Sequence, residues 1–100
     1  RFEGISKYPA VTRDLAFVVK KEVKVGDIVE SIKRCGKSII KNVEVFDIYT
    51  GEHVASDSKS IALSIVFQSN EKTLTDKEIN DVHEKILAAL KKECNAELRG

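Results

Sequence analysis

The sequence predicts an α+β sandwich: one four-stranded antiparallel sheet with two helices on one of its faces. Three observations predict it. Residues 13–19 and 59–67 each read as a strand with bulky side chains on one side and small ones on the other. Two segments, one from Val25 and one from Ile79, carry apolar residues at helical spacing. The order of elements is then β-α-β-β-α-β, which closes as two right-handed crossovers around a central hairpin. That is the ferredoxin-like arrangement, with spatial strand order 4-1-3-2 and the second sheet face uncovered.

The first strand follows Pro9, which fixes its own φ and pushes Tyr8 toward extended backbone. Leu15, Phe17 and Val19 share one face; Asp14, Ala16 and Val18 share the other. Apolar character on both sides marks a central strand. The first helix runs from Val25 with Val25, Ile28, Val29, Ile32 and Cys35 in one stripe, and Gly36 is placed to stop it at C′. Lys24 is a poor N-cap, although Asp27 suits the positive end of the helix.

Ile39 to Tyr49 reads as the second strand, with Phe46 and Ile48 on one face and Val43, Val45, Asp47 and Tyr49 on the other. Strict alternation puts Glu44 beside Phe46, so this strand is either peripheral or bulged. Residues 50–58 form a hydrophilic connection, and Lys59 to Phe67 is the third strand, with Ile61, Leu63, Ile65 and Phe67 alternating with Ser60, Ala62, Ser64 and Val66. Thr75 and Glu78 make a capping box for the second helix, flanked by the staple pair Leu74 and Ile79. Its stripe of Ile79, Val82, His83, Ile86, Leu87 and Leu90 continues to about Lys92. A short strand from Ala96 to Arg99 closes the chain, with Leu98 inward and Glu97 and Arg99 on the opposite face.

Composition is that of an ordinary globular domain, 42% hydrophobic and 33% charged, with net charge +1. A binder that works by neutralising phosphates is usually far more basic, so any RNA role must rest on local charge and base contacts. No apolar run is long enough to span a bilayer. The absence of Met predicts a piece of a longer chain: residues 1–6 as a linker from a preceding domain and 7–100 as the domain itself. Cys35 and Cys94 are too far apart in sequence for a metal motif and read as reduced thiols. His53 and His83 lack partners at ligand spacing, and there is no phosphate-cradling glycine loop. No catalytic group of residues emerges.

The uncovered sheet face is the remaining candidate. Tyr49 on one edge can stack on a base, Ser60 in the middle can hydrogen-bond, and Arg99 on the other edge can add a guanidinium. By residue chemistry alone, a solvated sheet face with scattered apolar side chains is the better reading. An RNA-recognition motif fits poorly, because its aromatic positions are Ala16, Ser60, Ala62 and Ser64 here.

An ordered series of segments adds to this. Tyr8-Pro9 is followed by Arg13-Asp14-Leu15-Ala16-Phe17-Val18-Val19, then Val25-Gly26-Asp27-Ile28. Val45-Phe46-Asp47-Ile48-Tyr49 with Gly51-Glu52 comes next, then Lys59-Ser60-Ile61-Ala62-Leu63. Thr73-Leu74-Thr75-Asp76-Lys77-Glu78-Ile79-Asn80 and Leu98-Arg99-Gly100 complete it. Together they resemble the ferredoxin-fold anticodon-binding domain at the C-terminus of the bacterial phenylalanyl-tRNA synthetase β subunit. The resemblance implies binding of the tRNA-Phe anticodon stem-loop, in the cytoplasm, with Ala16, Tyr49, Ser60 and Arg99 as contact positions. Arg13 and Lys59 are weaker candidates, for phosphate contacts; Arg13 equally suits a nearby carboxylate. It implies no catalysis and no cofactor in this domain; ATP and Mg would serve the parent enzyme. The implied partners are the rest of the β subunit and an α subunit in a heterotetramer, with no membrane. A regulatory or dimerisation module of the same topology, with no RNA role, is the alternative.

Overall fold

A computed structural model describes residues 8–52 and 54–98. Strand β1 (Val11–Lys20) leads into helix α1 (Val25–Gly36), a short 3-10 turn over Lys37–Ile39, and strand β2 (Ile40–Tyr49). Strand β3 (Ser58–Phe67), helix α2 (Asp76–Cys94) and strand β4 (Glu97–Leu98) follow. All pairings are antiparallel, and the sheet order is β2-β3-β1-β4, the expected order read from the other edge. The expected linker, residues 1–6, lies outside the described residues.

Alternation places the core. Leu15, Phe17 and Val19 of β1 and Ile61, Leu63, Ile65 and Phe67 of β3 are buried on one face of the two central strands. Ile28 and Ile32 of α1 and Ile79, Ile86 and Leu90 of α2 complete the cluster. Each such side chain contributes about 1.5–3 kcal/mol by leaving water. The helices run antiparallel: Ser31 of α1 meets Glu93 near the end of α2, while Cys35 meets the Lys85 carbonyl a few turns earlier. Both cysteines are free thiols, and burial pushes each of them up.

The capping box forms as expected. The Glu78 N–H donates to Thr75 Oγ1 at 3.2 Å, and the Thr75 N–H donates to Glu78 Oε1 at 2.9 Å. Leu74 and Ile79, the staple pair, are both buried. At the other end Asn95 takes the left-handed conformation (φ 52°), which its short amide tolerates.

Three expectations about local geometry are corrected. Gly36 is the last helical residue, not the C′ stop, and Lys37 carries the positive φ of 31°. A Cβ at 36 would sit 2.5 Å from Ile40 Cδ1 and 3.0 Å from Val82 Cγ1, so a larger residue there would force the Ile40 side chain to shift. The last strand starts at Glu97 rather than Ala96, its expected end at Arg99 lies outside the described residues, and Leu98 is 57% exposed although it pairs beside Phe17. Ala96 is buried instead, and Leu98 stands on the edge strand of the sheet. In β2, Val43 and Val45 pair with Ile65 and Leu63 and pack toward the helices, which turns Glu44, opposite Ser64, to the open side. The register shifts past Lys41 and again past Phe46, so the strand is bulged twice.

Surface ion pairs add an acid sensitivity. The Lys72 ammonium and then the Thr75 N–H hold the Glu78 carboxyl down to about 2, from an ordinary 4.5. Glu93 is lowered by the Ser31 hydroxyl at 2.6 Å and Arg34 at 3.2 Å, and Asp57 by Lys20. A carboxyl lowered in the folded state stabilises it fully above its unfolded value and loses that contribution as pH falls through the folded one. The urea midpoint should therefore fall between pH 4.5 and about 2. Glu78→Gln should show a shallower fall over the same window, and an unchanged slope would remove Glu78 as a source.

Candidate functional site

The sheet face away from the helices is built in rows set by register. Glu97, Val18, Ser60 and Tyr49 form one row across β4, β1, β3 and β2. Ala16, Ala62 and Asp47 form the next, then Asp14, Ser64 and Glu44. The centre is floored by small side chains, and the β2 edge rises at Tyr49, which is 41% exposed. Gly51 lies close to that ring. Its φ of +129° is open to glycine, and a Cβ there would lie 3.3 Å from Tyr49 Oη, so the turn after β2 folds closely against the phenol.

Ala16, Ser60 and Tyr49 thus share one face, on three adjacent strands. Ser60 is only 7% exposed, so it is floor between Val18 and Tyr49 rather than a reaching group. Arg13 and Lys59 stand on the opposite side, paired with Ile65 and Val19. Arg13 Nη2 donates to Asn80 Oδ1 of α2 at 3.2 Å, and Lys59 Nζ donates to the Val23 carbonyl at 2.6 Å. Those contacts tie the sheet to α2 and to the loop before α1. Arg99 lies outside the described residues.

Among the described residues the open face carries more acid than base. Asp14, Glu44, Asp47 and Glu97 all belong to it, and Asp14 accepts from Ser64 Oγ at 2.6 Å. Lys20, at the end of β1, is held by Asp57 at 2.6 Å, and Lys41 at the far corner donates to Asn70. Such a surface repels phosphate oxygens. It accepts neutral aromatic faces, and its carboxylates accept N–H donors such as those on base edges. Sequence reading misplaced Glu44 and left Asp47 out of the contact set. The signal was available: a charge between Val43 and Val45 cannot face the core, so the valines must. Among the described residues no group of His, Cys, Asp or Glu could hold a metal ion, and no helix is long and apolar enough to cross a membrane.

Comparison with known proteins covers nearly the whole chain. Residues 6–99 match the family model of the ferredoxin-fold anticodon binding domain. A phenylalanine–tRNA ligase beta subunit of Geobacillus kaustophilus is 42% identical over 100 residues, all of this chain. That of Francisella tularensis is 49% identical over 98 residues, and that of Bacillus subtilis 43% over 99, covering 98% and 99% of this chain. In each case the chain spans 12% of the relative's length.

Proposed function

The chain belongs to the ferredoxin-fold anticodon binding domain family, and from that premise we propose that its open sheet face holds the anticodon stem-loop of tRNA-Phe. The observation that carries this reading is the shared face of Ala16, Ser60 and Tyr49, a low floor beside one raised aromatic edge. Unpaired bases can lie on such a floor, and Tyr49 can stack on one of them. Asp47, one row from Tyr49, supplies an acceptor for amino or imino donors of a base edge. Arg99 remains a proposed contact by family resemblance. Arg13 and Lys59 stand on the other side of the two central strands and take no part in this face.

The domain acts here as a binding module of a phenylalanine–tRNA ligase β subunit working in the cytoplasm. It catalyses nothing itself. ATP and Mg2+ would act in the charging step of the larger enzyme, away from this sheet, and an α subunit and the remainder of the β subunit would complete a heterotetramer.

Titration with the tRNA-Phe anticodon stem-loop, beside one with a scrambled anticodon, tests the reading. Amide shifts at Ala16, Tyr49 and Ser60 are expected with the true loop only. The acidic face also predicts a salt slope well below that of a protein making many phosphate contacts. Equal shifts with both loops would mean that the face holds unpaired bases without reading the anticodon, and would overturn the anticodon-specific reading. Absence of shifts with either would favour a docking or dimerisation module.

A further inference from the structure

We propose that Phe46, presented by the β-bulge in β2, is a second stacking platform that takes an unpaired base neighbouring the one on Tyr49. The inference rests on the reading of the open face as an RNA surface.

The bulge carries the argument. Val45 pairs with Leu63 and Asp47 with Ala62, so Phe46 is the extra residue. Glu44 faces the open side and Val45 the helix side; alternation returns Phe46 to the open side, and the insertion lets Asp47 share it. The same insertion then sets Ile48 opposite Ile61 and Tyr49 opposite Ser60. Without it, Tyr49 would fall on the helix side. One inserted residue therefore brings both aromatic residues of this strand to the same side of the sheet.

Phe46 is 58% exposed and takes no part in the core. An exposed phenylalanine alone means little. Here it stands on an edge strand, three residues from Tyr49, roughly 10 Å along the strand at ordinary rise. An unstacked single strand that lays one base on Tyr49 brings its neighbours within that reach. The flanking carboxylates Glu44 and Asp47 choose between occupants, since they repel phosphate and acidic peptides but accept a neutral base. Stacking on an aromatic ring tolerates any base, so Phe46 contributes affinity and order more than sequence preference.

The test uses the full-length synthetase and anticodon stem-loops carrying 2-aminopurine at each unpaired position in turn. In the unmutated enzyme, quenching is expected at two positions. Tyr49→Ala should release one, and Phe46→Ala the other with roughly tenfold weaker binding. Phe46→Tyr should keep the quenching and Phe46→Leu, apolar but without a ring, should lose it. If Phe46→Ala and Phe46→Leu bind and quench as the unmutated enzyme does while Tyr49→Ala does not, Phe46 is no platform and the wider reading stands. If Phe46→Ala spares the loop but loosens subunit assembly in sedimentation, the patch is a protein contact and the proposal is overturned. Failure of the unmutated enzyme to bind the loop through this face, with Tyr49→Ala also silent, would sink the wider reading itself.

Discussion

Replacing Phe17 with Ala should lower the unfolding free energy by about 3–5 kcal/mol. The ring is 1% exposed and sits in the middle of β1, with Ile61 of β3 on one side and Leu98 of β4 on the other. It lines, with Leu87, Leu90 and Ala96, the groove where β1 and β4 meet α2. Truncation there loses both transfer energy and the contacts around the void, and a domain of this size holds only about 5–15 kcal/mol in all. Urea unfolding followed by circular dichroism measures the effect. Val18→Ala, the next residue but on the open face, should cost no more than about 1 kcal/mol. A comparable loss from both would mean that the two faces of β1 do not divide support from surface.

Tyr49→Ala should weaken stem-loop binding by about 1–3 kcal/mol, or roughly 5- to 150-fold, while leaving stability within about 1 kcal/mol. The residue ends an edge strand and its ring is open to solvent, so removal uncovers little of the core. What it removes is the one aromatic surface that stands in the row of Val18 and Ser60. Tyr49→Phe keeps the ring and should keep most of the affinity. A loss as large as that of Tyr49→Ala would assign the effect to the hydroxyl, which also packs against the Gly51 turn. A large fall in melting temperature in either variant would make Tyr49 a support of the β2–β3 connection.

Legibility followed the range of the interactions. The Thr75–Glu78 capping box and the Ile61–Phe67 alternation could be read directly, because each is decided within a few residues. The faces of β2 could not be read by counting, because the insertion at Phe46 changes parity halfway along the strand. Its effect was to put Val43 and Val45 on the wrong side while leaving Tyr49 on the right one. Arg13 and Lys59 looked like phosphate ligands by type alone. Their partners, Asn80 and the Val23 carbonyl, are distant in sequence and could only come from the fold. Ser60 was expected to be reachable; its small side chain is instead enclosed between Val18 and Tyr49, a packing outcome with no local signature.

The pairing of β1 also sets the order in which the chain can fold. Val11 waits for Phe67 and Phe17 for Leu98, so the first strand of the sheet to be synthesised cannot pair until residues far along the chain have followed. β3 becomes available only after α1 and β2 have been made, and β4 only after both helices. Contacts this distant in sequence slow folding, since loop closure must precede any gain from them. The segment Leu15–Val19 therefore emerges from the ribosome as the stretch most in need of shelter, and the speed with which β3 follows decides how long it stays bare.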